Sequence, residues 1–360
     1  MVTKSEKPMV KKIFVDGIMH LGDMMIAASV FPVLRREFPT AEIHFLVTEN
    51  LAAAASLIEG VDVVIPYAYK SGGGVKGVFE MAKKLKAEKY DIGISVDPRE
   101  RVTLMKWLAE IPIRVTLEEA LGWKLGWERL FYTTDVSLKG WDVKNRLMSE
   151  SFQEAMRRYL GIKDEEFLYP TLKPSSNAAN EKADKLLYPL KEKRGVISFC
   201  VSTSGDNRRK DWPPKRFAEL SNILISEGYG LAFTGILEHT RVIEQILNDI
   251  SDKNAALNIA GQTNIEELVA VFRKTKLFIT LDTGSAHLAA AAGVKTLTIF
   301  SFNSPEIYGA AGKFTKSVSA NVPCAGKYRC FDRKNCQKDD CFMKITVDMV
   351  KNAADELLQT

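Results

Sequence analysis

Short runs rich in β-branched residues alternate with helical segments along most of this 360-residue chain. In the first half these runs read KKIFVDG, EIHFLVT, VDVVIPY and YDIGISV. Parallel strands need long crossover connections, usually helices, so the alternation predicts an α/β fold built on doubly wound parallel sheets. The helices between and after these strands are predicted at 22–38, 51–58, 75–86 and 99–109.

The alternation is interrupted once, by the segment LYPTLKPSSNAAN, in which Pro, Ser and Asn cluster as they do in connectors. It then restarts with strands GVISFCVS, GLAFTG and LFITL and with helices at 214–227, 238–250 and 265–274. We therefore predict two Rossmann-like domains, 1–175 and 176–345, and a terminal helix at 346–360 that packs across them. The length also exceeds that of one typical domain.

Composition excludes several classes of protein. The sequence has no secretory signal pattern, few cysteines and no apolar stretch of eighteen residues, so we expect a cytoplasmic protein whose membrane contact, such as with the inner membrane face, is peripheral. The net charge of +5 fits an anionic ligand only weakly, and no nucleic-acid-binding signature is present. Cys324, Cys330, Cys336 and Cys341 are spaced too widely for paired Cys-x-x-Cys motifs, which favours incidental or structural thiols over a metal or a disulfide.

The segment TLDTGSAHLAAAAGVKTLTIF carries the strongest functional signal. It reads as a buried strand followed by a short helix, with Asp282, Thr283 and Gly284 in the turn and His287 in the first helical turn. Backbone N–H groups and the helix dipole attract anions at such a turn, which suggests a diphosphate. The alternative is that Asp282 or Thr283 only caps the helix and that His287 is a core histidine.

Two further segments lie at the predicted carboxyl ends of strands. In CVSTSGDNRRKDWPPKRFAEL, Thr203 and Ser204 offer hydroxyls and Lys210 offers a mobile positive charge for phosphate, although a solvated basic loop is the alternative. In GIMHLGDMMIAASVFPVLRREFP, Asp23 is a candidate general base or, alternatively, a helix cap.

Taken in order, these segments resemble glycosyltransferase family nine, the heptosyltransferase-like enzymes of lipopolysaccharide core assembly. The resemblance rests on LGDMMIAASVFPVLRREFPTAEIHFLVTE, STSGDNRRKDWPPKRFAEL, FTGILEH, IAGQTNIEELVAVFRK and DTGSAHLAAAAGVKTLTIF. The sequence FSFNSP departs from it, because relatives usually carry a Gly-Pro-Thr turn at that place.

The resemblance implies the B-type glycosyltransferase fold, with an acceptor-binding N-terminal domain and a donor-binding C-terminal domain. It also implies inverting transfer from ADP-heptose, which serves as substrate, with no cofactor and, since no Asp-x-Asp motif is present, no metal. Asp23 would be the base, while Lys210 and the Thr283–Gly284 turn would stabilise the departing ADP. The remaining donor-binding candidates are Thr203, Ser204, Glu238, Thr263, Asp282 and His287.

The partners implied are a nucleotide sugar and a glycolipid or glycan acceptor. Arg99, Arg101 and Lys106, with Arg114 nearby, are candidates for acceptor phosphates or carboxylates, and a solvated basic face is the alternative for each of them. Two other functions stay open at this point. One is a family relative that transfers a hexose or N-acetylhexosamine from another nucleotide, and the other is a nucleotide-sugar-binding protein without catalysis.

Overall fold

The structure, a computed structural model, describes residues 10–17, 20–68, 74–97, 99–117, 126–203, 211–320, 322 and 340–360. The chain divides into two compact units, Met1–Lys173 and Pro174–Thr360. The division lies two residues before the boundary expected from the sequence. Each unit contains a parallel α/β sheet, so the predicted fold class is confirmed.

In the first unit, six parallel strands form a sheet with the order β3-β2-β1-β4-β5-β6. The strand order reverses between β1 and β4, and ligands of such sheets bind outside the carboxyl ends of the strands at this reversal. The strands are β1 (Lys12–Gly17), β2 (Glu42–Thr48), β3 (Val63–Tyr67), β4 (Ile92–Asp97), β5 (Ile113–Thr116) and β6 (Thr134–Asp135). The helices are α1 (Leu21–Ala27), α2 (Val30–Glu37), α3 (Ala52–Ser56), α4 (Gly74–Glu88), α5 (Glu100–Leu108) and α6 (Met148–Leu160).

The single helix predicted over 22–38 is wrong, because the structure has two helices, α1 and α2, separated at Ala28 and Ser29. Ser29 is fully buried and bonds to α6 through both its side chain and its backbone. Its Oγ donates to the Ser149 carbonyl at 3.0 Å, and its carbonyl accepts from Gln153 Nε2 at 2.8 Å. A long-range contact therefore fixes this break.

The second unit repeats the same architecture. Its six parallel strands have the order β12-β11-β10-β7-β8-β9, so the order reverses between β7 and β10. The strands are β7 (Val196–Cys200), β8 (Gly230–Phe233), β9 (Ala256–Asn258), β10 (Leu277–Leu281), β11 (Thr296–Phe300) and β12 (Thr315–Ser319). The helices are α7 (Asn177–Leu187), α8 (Pro214–Ser226), α9 (Thr240–Asn248), α10 (Ile265–Arg273), α11 (Gly284–Ala291), α12 (Pro305–Tyr308), α13 (Asp340–Met343) and α14 (Val347–Gln359).

The terminal helix α14 forms where it was predicted and belongs to the second unit. Its apolar face, which includes Val350 and Ala354, is part of that unit's hydrophobic core. Trp212, at the start of α8, is fully buried and donates from Nε1 to the Ile345 carbonyl at 2.9 Å. The start of α8 and the residues preceding α14 are thereby joined. None of the helices in the described ranges has the length and hydropathy needed to cross a bilayer.

Candidate functional site

Asp23 lies beyond the carboxyl end of β1, at the reversal of strand order in the first unit. Helix α1 begins at Leu21 with His20 as its N-cap, so Asp23 is the third residue of the helix and not the cap proposed as an alternative. The side chain is exposed. A carboxylate placed here can reach a solvent-borne substrate.

A second carboxylate, Asp97, ends the neighbouring strand β4 and pairs with Gly17 of β1. Only 5% of Asp97 is exposed, and its Oδ2 accepts from Arg99 Nε at 2.9 Å. Burial raises the pKa of Asp97 to about 6, Arg99 opposes the rise, and the negative charges of Asp16 and Asp23 add to it. Asp23 and Asp97 are therefore electrostatically coupled. Asp97 was not among the site residues predicted from the sequence, although its place at the end of a predicted strand was a usable signal.

Lys106 was predicted to contact the acceptor or to lie on a solvated face, and both interpretations are wrong. Lys106 and Asp16 are fully buried, and Lys106 Nζ lies 2.6 Å from Asp16 Oδ2. The ammonium also donates to Ser95 Oγ and lies 5.1 Å from the ring centroid of Tyr132. A buried cation needs such partners, because removing a charge from water is costly unless it is paired. Lys106 is thus a structural residue.

The position of Lys106 on helix α5 explains why it is buried. It follows Val102 by four residues and precedes Ala109 by three, so it occupies the apolar face of the helix. Gly93 of β4 makes room for its stem, because a Cβ on Gly93 would lie 3.1 Å from Lys106 Cδ. Helical periodicity could have revealed this position from the sequence.

The three arginines predicted beside Lys106 lie in different surroundings. Arg99 and Arg101 are exposed near the carboxyl end of β4, and Arg99 bonds to Asp97. Arg114 is half-buried and donates to the carbonyls of Phe131 and Ile111. Arg99 and Arg101 are therefore the acceptor candidates that remain accessible.

In the second unit, Asp282 and Thr283 follow β10 directly, as predicted, whereas Gly284, predicted in the turn, is the first residue of helix α11. The N-cap residue is Thr283, whose hydroxyl makes no capping bond and instead lies 2.6 Å from Ser285 Oγ. The first amide groups of a helix have no intrahelical acceptor, so they can bind an anion at this edge of the sheet. All three residues are half-buried and lie at the reversal of strand order.

His287 lies in the first part of α11 and is only 7% exposed. Burial lowers the pKa of His287 to about 4, and the Asp282 carboxylate opposes this change. The imidazole is consequently neutral at physiological pH, mainly because it is buried.

Asp282 has a hydrogen-bond partner in the sequence FSFNSP that was not predicted. The Nδ2 of Asn303 donates to Asp282 Oδ2 at 2.5 Å. The backbone N–H of Asp282 also donates to the Ile299 carbonyl of β11 at 3.2 Å. Asp282 is therefore bonded both to Ile299 of β11 and to Asn303 of the FSFNSP segment.

Thr203 lies beyond the carboxyl end of β7, and its N–H and hydroxyl groups form hydrogen bonds with another side chain of the protein. Both its N–H and its Oγ1 donate to Asp211 Oδ1 at 3.0 Å, and Ser202 Oγ donates to Asp211 Oδ2 at 2.9 Å. Burial raises the pKa of Asp211, and these hydrogen bonds oppose the rise. Asp211 is thereby bonded to two residues, Thr203 and Ser202, that lie eight and nine positions before it in the sequence. Ser204 and Lys210 lie outside the described residues.

Glu238 and Thr263 follow β8 and β9 at the same edge. Glu238 is exposed in a short 3-10 turn, and Thr263 is half-buried just before α10. The Gly261 N–H donates to the Gly235 carbonyl at 2.8 Å, which brings the two loops together. His239, next to Glu238, is buried, and neither of its ring nitrogens has a hydrogen-bond partner among the residues that the structure describes.

The described ranges contain no group of three or more His, Cys, Asp or Glu side chains arranged to hold a metal ion. Of the four late cysteines, Cys341 is half-buried. Cys324, Cys330 and Cys336 lie outside the residues that the structure describes.

Known proteins share this architecture. Over 99% of both chains, the structure superposes with a TM-score of 0.83 and 21% identity on the glycosyl transferase family 9 protein from Veillonella parvula DSM 2008. Over 97% of this chain and 98% of the other, it superposes with a TM-score of 0.76 and 21% identity on E. coli ADP-heptose lps heptosyltransferase II.

Sequence comparison points the same way. The chain is 25% identical over 304 residues to lipopolysaccharide heptosyltransferase 2 of Escherichia coli K12, covering 82% of this chain and 84% of the relative. Residues 78–338 match the family model described as Glycosyltransferase family 9 (heptosyltransferase), a range that includes the Asp-Thr-Gly turn but not Asp23. The chain therefore belongs to glycosyltransferase family 9, the heptosyltransferase family.

Proposed function

We propose that this glycosyltransferase moves a heptose from ADP-heptose to a lipopolysaccharide core or related glycan acceptor, with inversion and without a metal. The observation that carries the proposal is the turn formed by Asp282, Thr283 and Gly284 at the start of α11, in a chain of this family. Helix amide groups at a reversal of strand order suit the diphosphate of a nucleotide sugar.

In this proposal the second unit binds the donor. The amides of the Thr283–Gly284 turn and the Lys210 ammonium stabilise the negative charge that develops on the departing ADP. Asp282 contacts the donor sugar, and neutral His287 contributes one hydrogen bond. Thr203 and Ser204 border the phosphates, while Glu238 and Thr263 border the nucleoside. Because Thr203 donates two hydrogen bonds to Asp211, its role is to hold the conformation of this loop as well as to bind the donor.

The first unit binds the acceptor and supplies the base. As the acceptor hydroxyl attacks the anomeric carbon from the face opposite the diphosphate, its proton passes to the Asp23 carboxylate. The carbon–oxygen bond to ADP breaks as the new glycosidic bond forms. Arg99 and Arg101 are the acceptor contacts in this scheme. We propose that the enzyme acts in the cytoplasm, with peripheral contact at the inner membrane.

Thermal stabilisation by nucleotides tests the donor assignment without an acceptor. At matched concentrations of ADP, UDP, GDP and TDP, we expect selective stabilisation by ADP, reaching about 2.7 kcal/mol at about 100 times its dissociation constant. Selective stabilisation by another nucleotide would replace ADP-heptose by a different donor sugar, such as a hexose. No stabilisation by any nucleotide would contradict a donor site.

Lys210→Ala and Lys215→Ala form a matched pair for the same measurement. Lys215 is exposed in the first turn of α8, five residues from Lys210. The Lys210 variant should bind ADP more weakly, whereas the Lys215 variant should retain the full shift. Equal shifts in both would remove Lys210 from the phosphate site.

A further inference from the structure

Asn303 lies in the segment that follows β11, and it contacts Asp282, which follows β10. Strands β10 and β11 pair as far as Leu281 and Ile299, and the Asp282 N–H donates to the Ile299 carbonyl just beyond this pair. Asn303 Nδ2 donates to Asp282 Oδ2 at 2.5 Å. Asn303 belongs to the segment FSFNSP.

The residues around Asn303 hold it in place. Ser301, Phe302 and Ser304 are 2%, 6% and 1% exposed, whereas Asn303 is half-buried. Ser304 Oγ donates to Glu306 Oε2 at 2.6 Å, just where the short helix α12 begins. Buried neighbours on both sides leave the backbone of Asn303 little freedom. Its amide is therefore a fixed donor rather than a mobile surface group.

A fixed donor changes what a half-buried carboxylate can do. Ionised aspartate only accepts hydrogen bonds, and its two oxygens can accept from different partners. One bond from Asn303 selects a side-chain conformation of Asp282 before any ligand arrives. Pre-organisation of this kind raises affinity, because less conformational freedom is lost on binding.

We propose that Asn303 is a positioning residue that orients Asp282 toward the sugar of the donor and so favours the nucleotide sugar over the free nucleotide. The inference rests on the proposed function, in which Asp282 contacts the sugar. It assigns to Asn303 a role that acts only through Asp282, because Asn303 bonds to that carboxylate and not to the helix amides that would hold the diphosphate.

Calorimetric titration with two probes, ADP and ADP-heptose, tests this role. Asn303→Ala should weaken ADP-heptose binding about tenfold, as expected if a misoriented Asp282 loses its hydrogen bond to the sugar, and change ADP binding less than about twofold. Asn303→Asp should weaken ADP-heptose binding further, because a second carboxylate would repel Asp282. Equal weakening of both probes, or no weakening of either, would overturn the proposal.

A double-mutant cycle with Asp282→Ala separates positioning from direct contact. If Asn303 acts through Asp282, Asn303→Ala should have no further effect on ADP-heptose binding in the Asp282→Ala background. Additive effects would contradict that mechanism. If the wild-type protein bound neither probe, the proposed function itself would fail, and this outcome is distinct from a failure of Asn303 alone.

Asn222→Ala is the matched control. Asn222, in α8 of the same unit, also uses its side chain to bond to a neighbouring loop, accepting from Ser251 N at 2.8 Å. It contacts the loop after α9, which leads to the amino end of β9, away from the proposed site. We expect unchanged affinities for both probes. Thermal unfolding of each variant identifies any loss that comes from misfolding.

Discussion

Asp23→Asn should lower the rate of transfer by about 10²–10⁴-fold, the usual contribution of a general base, while leaving ADP-heptose affinity within about twofold of wild type. The substitution keeps the size of the side chain but removes its capacity to take a proton. Because Asp23 lies in the first unit, its loss should not disturb the Asp-Thr-Gly turn of the second. Turnover and calorimetry on the same samples separate the two effects.

Glu110→Gln is the control for this experiment. It makes the same carboxylate-to-amide change in the first unit, but Glu110 follows α5 at the opposite edge of the sheet. Its ion pair with Lys86 is exposed and should contribute little stability. Unchanged turnover in Asp23→Asn would exclude Asp23 as the base. Asp97, buried next to it, would then be the carboxylate to examine.

Lys106→Met should lower the free energy of unfolding by about 3–5 kcal/mol, because it leaves the Asp16 carboxylate buried without its cation. Asp16 is fully buried, and among the described residues its Oδ1 has no hydrogen-bond partner. Ser95 Oγ donates to Asp16 Oδ2 at 2.9 Å, but this neutral hydroxyl does not replace the lost positive charge. Asp16→Asn combined with Lys106→Met should recover part of the stability. Urea-induced unfolding measures the difference, and Lys76→Met, at an exposed position of α4, should change it by less than about 0.5 kcal/mol.

The stability of Lys106→Met should also depend on pH. Burial raises the pKa of Asp16, and the Lys106 ammonium opposes that rise in the wild-type protein. Without the ammonium, the folded state binds a proton more tightly than the unfolded state, so stability is favoured at low pH and lost as pH rises. The deficit relative to wild type should therefore shrink as the pH falls from about 8 to about 5. A deficit that grew on acidification would contradict the buried ion pair.

Periodicity along the chain was sufficient to predict the two-sheet α/β architecture. The alternation predicted most strands and helices, and it located the Asp282–Gly284 turn between β10 and α11. Right-handed crossover connections reduce the number of possible strand orders but do not choose among them, so the two reversals of strand order come from the structure. The three motifs follow β1, β7 and β10, which are strands at these reversals.

Long-range contacts were beyond the sequence. The break at Ser29 depends on bonds to residues 120 and 124 positions away, and Asn303 reaches Asp282 across 21 residues. Local propensity carries no information about such partners. Lys106 is a different case. Its helical spacing places it among apolar residues, but the prediction followed its charge and put it in contact with the acceptor or solvent. The pairing of Lys106 with Asp16, 90 residues earlier, is what makes its burial possible.

Transfer of heptose to an acceptor is the reaction that we propose for this enzyme, and it can be measured directly. The protein is incubated in EDTA with ADP-heptose and a truncated lipopolysaccharide core acceptor, and both ADP release and the mass of the acceptor are followed. We predict that each modified acceptor gains one heptose with release of one ADP, and that EDTA leaves the rate unchanged. Two results together would contradict the proposed function. The enzyme would fail to transfer heptose with or without added metal, and it would transfer a sugar from a different nucleotide sugar to the same acceptor.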